Sequence, residues 1–560
     1  MAAETMKLAS AAPKSLVIRI NLVFFAIFLL AYAVIFLKPS DILSNQATLG
    51  LGESAPILRC SLGECRSKNK VGQDGFKMKA VLETPGPTKK AAARVKRPGF
   101  VDEALKGKRV GLINMDNVDT SDWAMGSGVV IGLDRVSEGL EWKDLYPEWI
   151  DEEEENEGPT CPEIPMPELG GVVGEVEAVV ARVPCRWPEE GWGRDAWRLQ
   201  CRPMVEVFRC DDVVATDGEW WVYEAEARRL ERKLALPVGS CKLALPLWSQ
   251  GISQVYNHTK QLQNVTRRRE AYATVLHSSD AYVCGAIALA QSLRATGTTR
   301  DLLILLDDSI AGEKRAALAA AGWQVREIRR IRNPKAAKNT YNEYNYSKLR
   351  LWQLTDYDKV VFVDSDVLVL RNLDALFDFP EMSAAGNDGS IFNSGVMAIE
   401  PSNCTFRLLM QKRKEVVSYN GGDQGFLNEV FFWWHRLPRR VNFLKNFWSN
   451  ATLEAAVKNE LFGADPPALY AIHYLGLKPW NCYRDYDCNW NIGDQRVYAS
   501  DVAHRRWWRV HDAMAPELRR FCGLTPRRRI ELDWDRKKAE EAGFGDRHWS
   551  INVSDPRRHV

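Results

Sequence analysis

The sequence predicts an α/β domain over residues 266–550, with a mixed sheet carrying helices on both faces, preceded by a transmembrane helix and a stem. Three observations carry that expectation. From Ala271 onward, β-branched and apolar runs alternate with stretches of helical spacing, the grammar of a parallel-rich sheet. One of those runs, Lys359 to Val363, ends abruptly in Asp364-Ser365-Asp366. Near the N-terminus, Leu22 to Leu37 is an unbroken apolar run of 16 residues.

Residues 1–15 read as a cytosolic tail. Carrying the apolar run back to Leu16 takes in Arg19 and Asn21, whose side chains can reach the headgroups, and gives a span of 22 residues. Lys7, Lys14 and Arg19 precede the core of the run and only Lys38 follows closely, so the positive-inside bias sets a lumenal body. Ala31-Tyr32-Ala33 resembles a cleavage site, but the apolar run continues to Leu37, which favours an uncleaved anchor. Six sequons open at Asn257, Asn264, Asn345, Asn403, Asn450 and Asn552, and they fit the secretory pathway. The 12 cysteines, none in a C-x-x-C pair, suggest disulfides over zinc, with Cys482 and Cys488 the expected bridge. Residues 38–100 read as a flexible stem and 101–265 as an accessory region, a small disulfide-braced β module. With 75 basic and 73 acidic residues, there is no electrostatic case for nucleic acid.

Within the domain, Ala271 to Leu276 is the first strand and Tyr282 to Thr296 a helix closed by Gly297. A strand at Leu302 to Leu306, a helix at Ala311 to Ala321 closed by Gly322, and a strand at Trp323 to Ile328 follow. Ser347 to Thr355 is a helix leading into the Lys359 strand, and a tail begins at 551. Ligands in such sheets bind at the carboxyl ends of strands, where His277-Ser278-Ser279 and Asp364-Ser365-Asp366 fall.

In extended backbone, residues two apart project to one side about 7 Å from each other, so Asp364 and Asp366 can reach one cation; aspartates after a strand also cap turns. Phe392-Asn393-Ser394-Gly395-Val396 offers sugar-binding polar groups beside a glycine, or is a plain turn. In Asn420-Gly421-Gly422-Asp423-Gln424, the Asp and Gln contact sugar hydroxyls, or Asn420 or Asp423 caps the following helix. His473-Tyr474-Leu475-Gly476-Leu477-Lys478-Pro479-Trp480 supplies an imidazole for an oxygen-rich divalent site, backbone room at Gly476, and a point charge suited to a diphosphate at Lys478.

With D-x-D, FNSG, NGGDQ and H-x-x-G-x-K-P-W in that order across roughly residues 271–550, the chain resembles the family 8 retaining glycosyltransferases of the glycogenin-like kind. Its stretches 345–352, 462–467 and 484–490 are similar to the plant branch that decorates xylan with glucuronic acid. The resemblance implies a GT-A type, Rossmann-like fold, a Mn²⁺ ion, a UDP-glucuronate donor and a xylan acceptor. It further implies a single-pass type II protein of the Golgi membrane, alone or in a homo- or hetero-oligomer. It implies that Asp364, Asp366 and His473 hold the metal, that Ser365 lies beside the ribose, and that Lys478 and the loop from Tyr474 through Leu475, Gly476 and Leu477 meet the diphosphate. Asn393, Ser394 and Gly395 would hold the transferred sugar with Asn420, Gly421, Gly422, Asp423 and Gln424.

Leu276, Ser278, Ser279 and Tyr282 match the nucleotide-contacting strand and loop, and Lys348 a basic position near the donor. Asp423 and Gln424 are the implied catalytic pair, with Gln424 near the reacting carbon in a front-face transfer. Lys348 or Arg350 would meet the uronate carboxylate. Trp433, Trp434, Trp480, Trp490, Trp507 and Trp508 either stack on the acceptor or pack in the core. The loop from Gly476 to Lys478 is one residue shorter than in glycogenin-type chains. Transfer of galacturonate or galactose, or a non-catalytic scaffold, are the alternatives.

Overall fold

The structure, a computed structural model, describes residues 98–113, 128–131, 176–182, 212–216, 220–224, 268–387, 391–431, 434–447, 452–555 and 557. The expected membrane helix, nearly all of the stem and the accessory region's cysteines lie outside these residues. Among the described residues, no helix is long and apolar enough to cross a membrane.

The accessory region contributes helix α1 (Gly99–Leu105) and a five-stranded sheet. Its strands are β1 (Val110–Ile113), β2 (Gly128–Ile131), β3 (Ala178–Arg182), β4 (Val213–Thr216) and β5 (Trp220–Glu224), in the order β2-β1-β3-β5-β4. Val101, Leu112, Val180, Trp220 and Val222 form its core.

The larger sheet is built from β6 (Glu270–Leu276), β7 (Asp301–Leu306), β8 (Gln324–Glu327), β9 (Lys359–Val363), β11 (Ser383–Gly386), β12 (Phe392–Ile399) and β13 (His435–Leu437), the label β10 belonging to Val367–Val369. Its order is β13-β11-β12-β9-β6-β7-β8. The four strands β9, β6, β7 and β8 run parallel, and β12 is antiparallel to β9. Strand alternation divides two cores. Leu302, Ile304 and Leu306 face helix α2 (Val283–Ala295), whereas Leu303 and Leu305 face the side of Trp352 and Phe426. Helix α2 ends where Gly297 takes φ +79°, as the sequence predicts. Helix α3 (Gly312–Ala320) and strand β8 lie within their expected spans.

The segment expected to be an α-helix at Ser347 to Thr355 is instead a 3₁₀ helix, Asn345–Gln353. Its side chains are committed elsewhere: Ser347 Oγ accepts from Ile331 N at 3.0 Å, and Trp352 Nε1 donates to Glu381 Oε1 at 2.6 Å. These tertiary bonds override helical propensity. The described residues from 551 onward, 551–555 and 557, are tied to the domain rather than forming a separate tail. The buried Arg557 guanidinium donates to the carbonyls of Trp480, Cys482 and Cys522 at 2.6–3.0 Å and pairs with Asp555. The Cys482–Cys488 disulfide is present, and a second, Cys284–Cys522, joins α2 to a segment 238 residues away.

Candidate active site

Three strand ends and one antiparallel strand bring the predicted motifs to one edge. Leu276 and Leu306 pair in register, which sets His277 and Asp307 at the same level. One strand over, β9 ends at Val363, and Asp364 N–H donates to Gly395 O at 2.8 Å, drawing Asn393-Ser394-Gly395 alongside the aspartates. Strand β10 then pairs antiparallel with β15 (Ala471–His473), with Val367 opposite His473. That register carries the imidazole across 107 positions of sequence to the Asp366 side chain.

Around this edge, Asp364, Asp366 and His473 each present a ligand atom within 4.8 Å of the others. His473 Nε2 lies 3.4 Å from Asp366 Oδ1 and Lys478 Nζ 2.7 Å from Asp366 Oδ2. Lys348 Nζ sits 2.6 Å from Asp423 Oδ2 and 3.3 Å from Asp364 Oδ1. Three carboxylates thus meet two ammonium groups beside an imidazole, so the carboxylates outnumber the ammonium groups by one. Burial opposes ionisation of Asp366, but Lys478 and His473 outweigh it and hold that carboxyl well below its ordinary range. At Asp364, burial dominates despite Lys348, and the carboxyl is raised. Lys348 is raised above its usual value although burial works against it, because Asp364 and Asp423 favour the charge. Oxygen-rich donors, one imidazole and an excess of carboxylates over ammonium groups fit a divalent cation.

The His473 imidazole is itself oriented. Asn442 Nδ2 donates to Asn393 Oδ1 at 2.8 Å, so its Oδ1 is the end that meets His473 Nδ1 at 3.1 Å, and Nε2 is left to face the aspartates. Gly395 permits this packing, since a Cβ there would stand 2.5 Å from His473 Cε1. Helix α5 (Asp423–Val430) places Asp423 and Gln424 in its first turn. Ser394 Oγ donates to Asp423 Oδ2 and Ser394 N–H to Gln424 Oε1, both at 3.2 Å. Lys348, Asp364, Ser394, Asp423 and Gln424 therefore form one connected group, and Asp366, His473 and Lys478 another, joined through the Asp364-Ser365-Asp366 turn.

The remaining predicted positions divide by what faces the edge. Asn420 Oδ1 accepts from the N–H groups of Gly422 and Gly425, shaping the turn before α5, and Gly421 O accepts from Asn333 and Asn342. Ser278, in a left-handed conformation at φ 66°, donates its N–H to Asp307 Oδ2, and Ser279 Oγ accepts from Ala281 N–H. Tyr282 packs edge-on against Trp480 beside Lys478. The Leu276 and Tyr474 side chains are buried, Tyr474 Oη donating to Ala503 O at 2.8 Å, so only their backbones border the edge. Leu475, Gly476 and Leu477 carry the loop to Lys478, whose Nζ also donates to Tyr474 O. Gly476 takes φ +72°, and Asn489 grips Leu477 through both backbone groups.

Two alternatives that the sequence left open are narrowed. Arg350 turns from the edge to Arg329 O and Gln353, because its neighbour Lys348 takes the inward face of the 3₁₀ helix. Trp434, Trp480, Trp507 and Trp508 are core residues rather than acceptor platforms, and Trp490 stacks on His548; Trp433 lies outside the described residues. Asn442, Asn489, Asp307 and its partner Arg330, at 2.9 Å, escaped the sequence reading. Each is polar; Asn442, Asp307 and Arg330 lie outside any motif, and Asn489 lies in the 484–490 stretch with no role assigned to it there.

Residues 273–483 match the family described as Glycosyl transferase family 8, and residues 90–201 and 200–241 match the GUX1-5 N-terminal domain. Over its whole length the chain is 52% identical to a protein of Arabidopsis thaliana named UDP-glucuronate:xylan alpha-glucuronosyltransferase 2, covering 99% of it. A second Arabidopsis protein, UDP-glucuronate:xylan alpha-glucuronosyltransferase 1, is 50% identical over 81% of this chain and 72% of its own. Glycogenin-1 of Caenorhabditis elegans is 34% identical over 44% of this chain and 59% of its own. The accessory sheet thus falls in a segment shared with the plant proteins, and the large mixed sheet is a GT-A-like fold. The chain belongs to glycosyl transferase family 8 and is a glycosyltransferase.

Proposed function

We propose that this protein transfers glucuronic acid from UDP-glucuronate to xylan with retention of configuration, using Mn²⁺ held by Asp364, Asp366 and His473. One observation carries the reading: the acidic pair, the imidazole and Lys478 converge at the strand edge where Asp423 and Gln424 also end, in a chain similar throughout to proteins of that name. A divalent ion bound there supplies Lewis-acid neutralisation of the charge that develops on departing UDP. Lys478 adds a fixed positive charge on the same side. Lys348 holds Asp423 in place, and Ser394 fixes the Asp423 and Gln424 side chains against the transferred sugar. The acceptor oxygen bonds to the anomeric carbon from the face that UDP leaves, beside Gln424, while the carbon–oxygen bond to the β-phosphate breaks. The acceptor's proton passes to the departing phosphate oxygen.

The test is full-length protein with Mn²⁺, UDP-glucuronate and xylohexaose, read by UDP release and by the mass of the product. Asp364→Ala with Asp366→Ala should abolish both, and undiminished turnover would remove the metal role. A panel with UDP-galacturonate and UDP-galactose separates the donors. Residues 16–37 would anchor the chain in the Golgi membrane with the domain lumenal. The exposed sequons Asn403 and Asn552 offer the check: an endoglycosidase shift that becomes smaller in Asn403→Gln with Asn552→Gln.

A further inference from the structure

With Trp434, Trp480, Trp507 and Trp508 buried, the acceptor needs another surface. Among the described residues, the exposed aromatic side chains are Tyr282, Tyr341, Tyr419 and Trp534. Tyr282 sits on the Lys478 side against Trp480, and Trp534 lies on helix α9 (Pro526–Glu541) with Lys538 over its ring. The other two border the sugar end. Tyr419, 46% exposed, accepts a hydrogen bond on its hydroxyl from Gln424 Nε2 at 2.7 Å. Tyr341 is 87% exposed on a segment that is tied down on both sides of it. Asn333 and Asn342 donate to Gly421 O at 2.9 and 2.6 Å, and Glu343 takes Arg332 Nε at 2.9 Å and Asn339 N–H at 2.7 Å.

These bonds bring the two chain segments that carry the tyrosines together. Tyr341 adjoins the residue that contacts Gly421, and Gly421 is two residues from Tyr419, a reach of about 7 Å along the chain. A folded protein gains nothing from holding a ring in water on a braced segment, and two such rings beside the residue that faces the reacting carbon form a surface for a flat, weakly polar partner. Tyrosine suits the task because it presents a rigid face with little rotamer freedom to lose.

We propose that Tyr419 and Tyr341 form the acceptor platform, the first stacking the pyranose that receives the transferred sugar and the second stacking a neighbouring unit along the same chain. This rests on the reading of the acceptor as a β-linked xylose polymer. The bond from Gln424 to the Tyr419 hydroxyl then couples acceptor seating to the residue at the reacting carbon.

The test is steady-state kinetics of the full-length protein with xylobiose to xylohexaose. Tyr341→Ala and Tyr419→Ala should each raise the acceptor KM roughly tenfold, the loss expected for one stacking contact, while the KM for UDP-glucuronate stays near wild type. Tyr341→Trp should restore the acceptor KM. Tyr419→Phe should keep that KM but lower kcat, because Gln424 loses its partner. Tyr341→Ala should also flatten the fall of KM with acceptor length. Acceptor KM values within about twofold of wild type in both alanine variants, set against the tenfold expectation, would overturn the platform. A wild type that ignores xylo-oligosaccharides but uses another acceptor overturns the substrate reading instead, and the same variants then decide the platform on that acceptor.

Discussion

Asn442 Oδ1 lies 3.1 Å from His473 Nδ1, and through its other end Asn442 also holds Asn393. The imidazole's tautomer and tilt are therefore set by a residue with no contact of its own to a metal. Asn442→Ala should weaken Mn²⁺ affinity about 10–100-fold with the three ligands intact, as calorimetric titration of metal in the presence of UDP would show. Unchanged affinity would mean that the strand alone aims the ring.

Among the described residues, Lys348 is the one ammonium group that reaches both Asp364 and Asp423. Lys348→Met leaves two carboxylates facing each other without a counter-charge. Turnover should drop about 10²–10³-fold, the scale for losing one fixed electrostatic group at a reacting centre, with a smaller change in donor KM.

Gly395→Ala should uncouple the metal site without touching a ligand. The new methyl would stand 2.5 Å from His473 Cε1 and 2.8 Å from Asn393 Oδ1, so the imidazole or strand β12 must move. Metal-dependent UDP binding should be lost while circular dichroism still reports the native secondary structure.

His548 is clamped between Asp501 at 2.9 Å and Asp546 at 2.6 Å. Burial opposes its charge, but the two carboxylates raise it above the ordinary 6.5, and both carboxyls are held below 3.8. A raised histidine stabilises fully below its unfolded value and loses that contribution as pH rises through its folded value. The depressed carboxyls contribute above their unfolded values and lose it in acid. The clamp is thus strongest in mild acid. Thermal melts of wild type against His548→Gln should differ by roughly 2–4 °C near pH 5–6, and the gap should narrow by about pH 8–9. A gap that widens with pH would contradict this.

Lys445 and Asp487 pair at 2.6 Å, each side chain 1% exposed, and Asp487 also receives Asn489, which grips Leu477. Lys445→Met strands a buried carboxylate and should cost about 3–5 kcal/mol in chemical denaturation. Because the same network holds the loop before Lys478, UDP affinity should fall in variants that still fold.

What could be read from the sequence followed from periodicity and from motif order. Leu302 to Leu306 and Lys359 to Val363 are strands because apolar runs of that length leave little choice, and their ends point to the ligand edge by topology alone. The meeting of Asp366 with His473 rests instead on β10–β15 pairing, which three-residue strands do not announce. Asn442, Asn489 and Asp307 are ordinary polar residues whose importance arises only from what folding puts beside them. The 3₁₀ winding at 345–353 was hidden for the same reason, since bonds to Ile331 and Glu381 outweigh local preference. Exposure of Tyr341 and burial of Trp480 likewise depend on packing, which hydropathy does not rank between two aromatics.

The cross-link from Cys284 to Cys522 fastens the helix whose next residue, Gly285, packs directly beneath the Ser365 carbonyl and the Trp480 ring. Its halves are separated by nearly the whole domain, so a growing polypeptide cannot close it until the ribosome has passed position 522. A nonsense allele that spares every sugar and metal ligand but stops short of that cysteine would leave the first thiol unmatched under the nucleotide turn. Such a truncation should behave as a null.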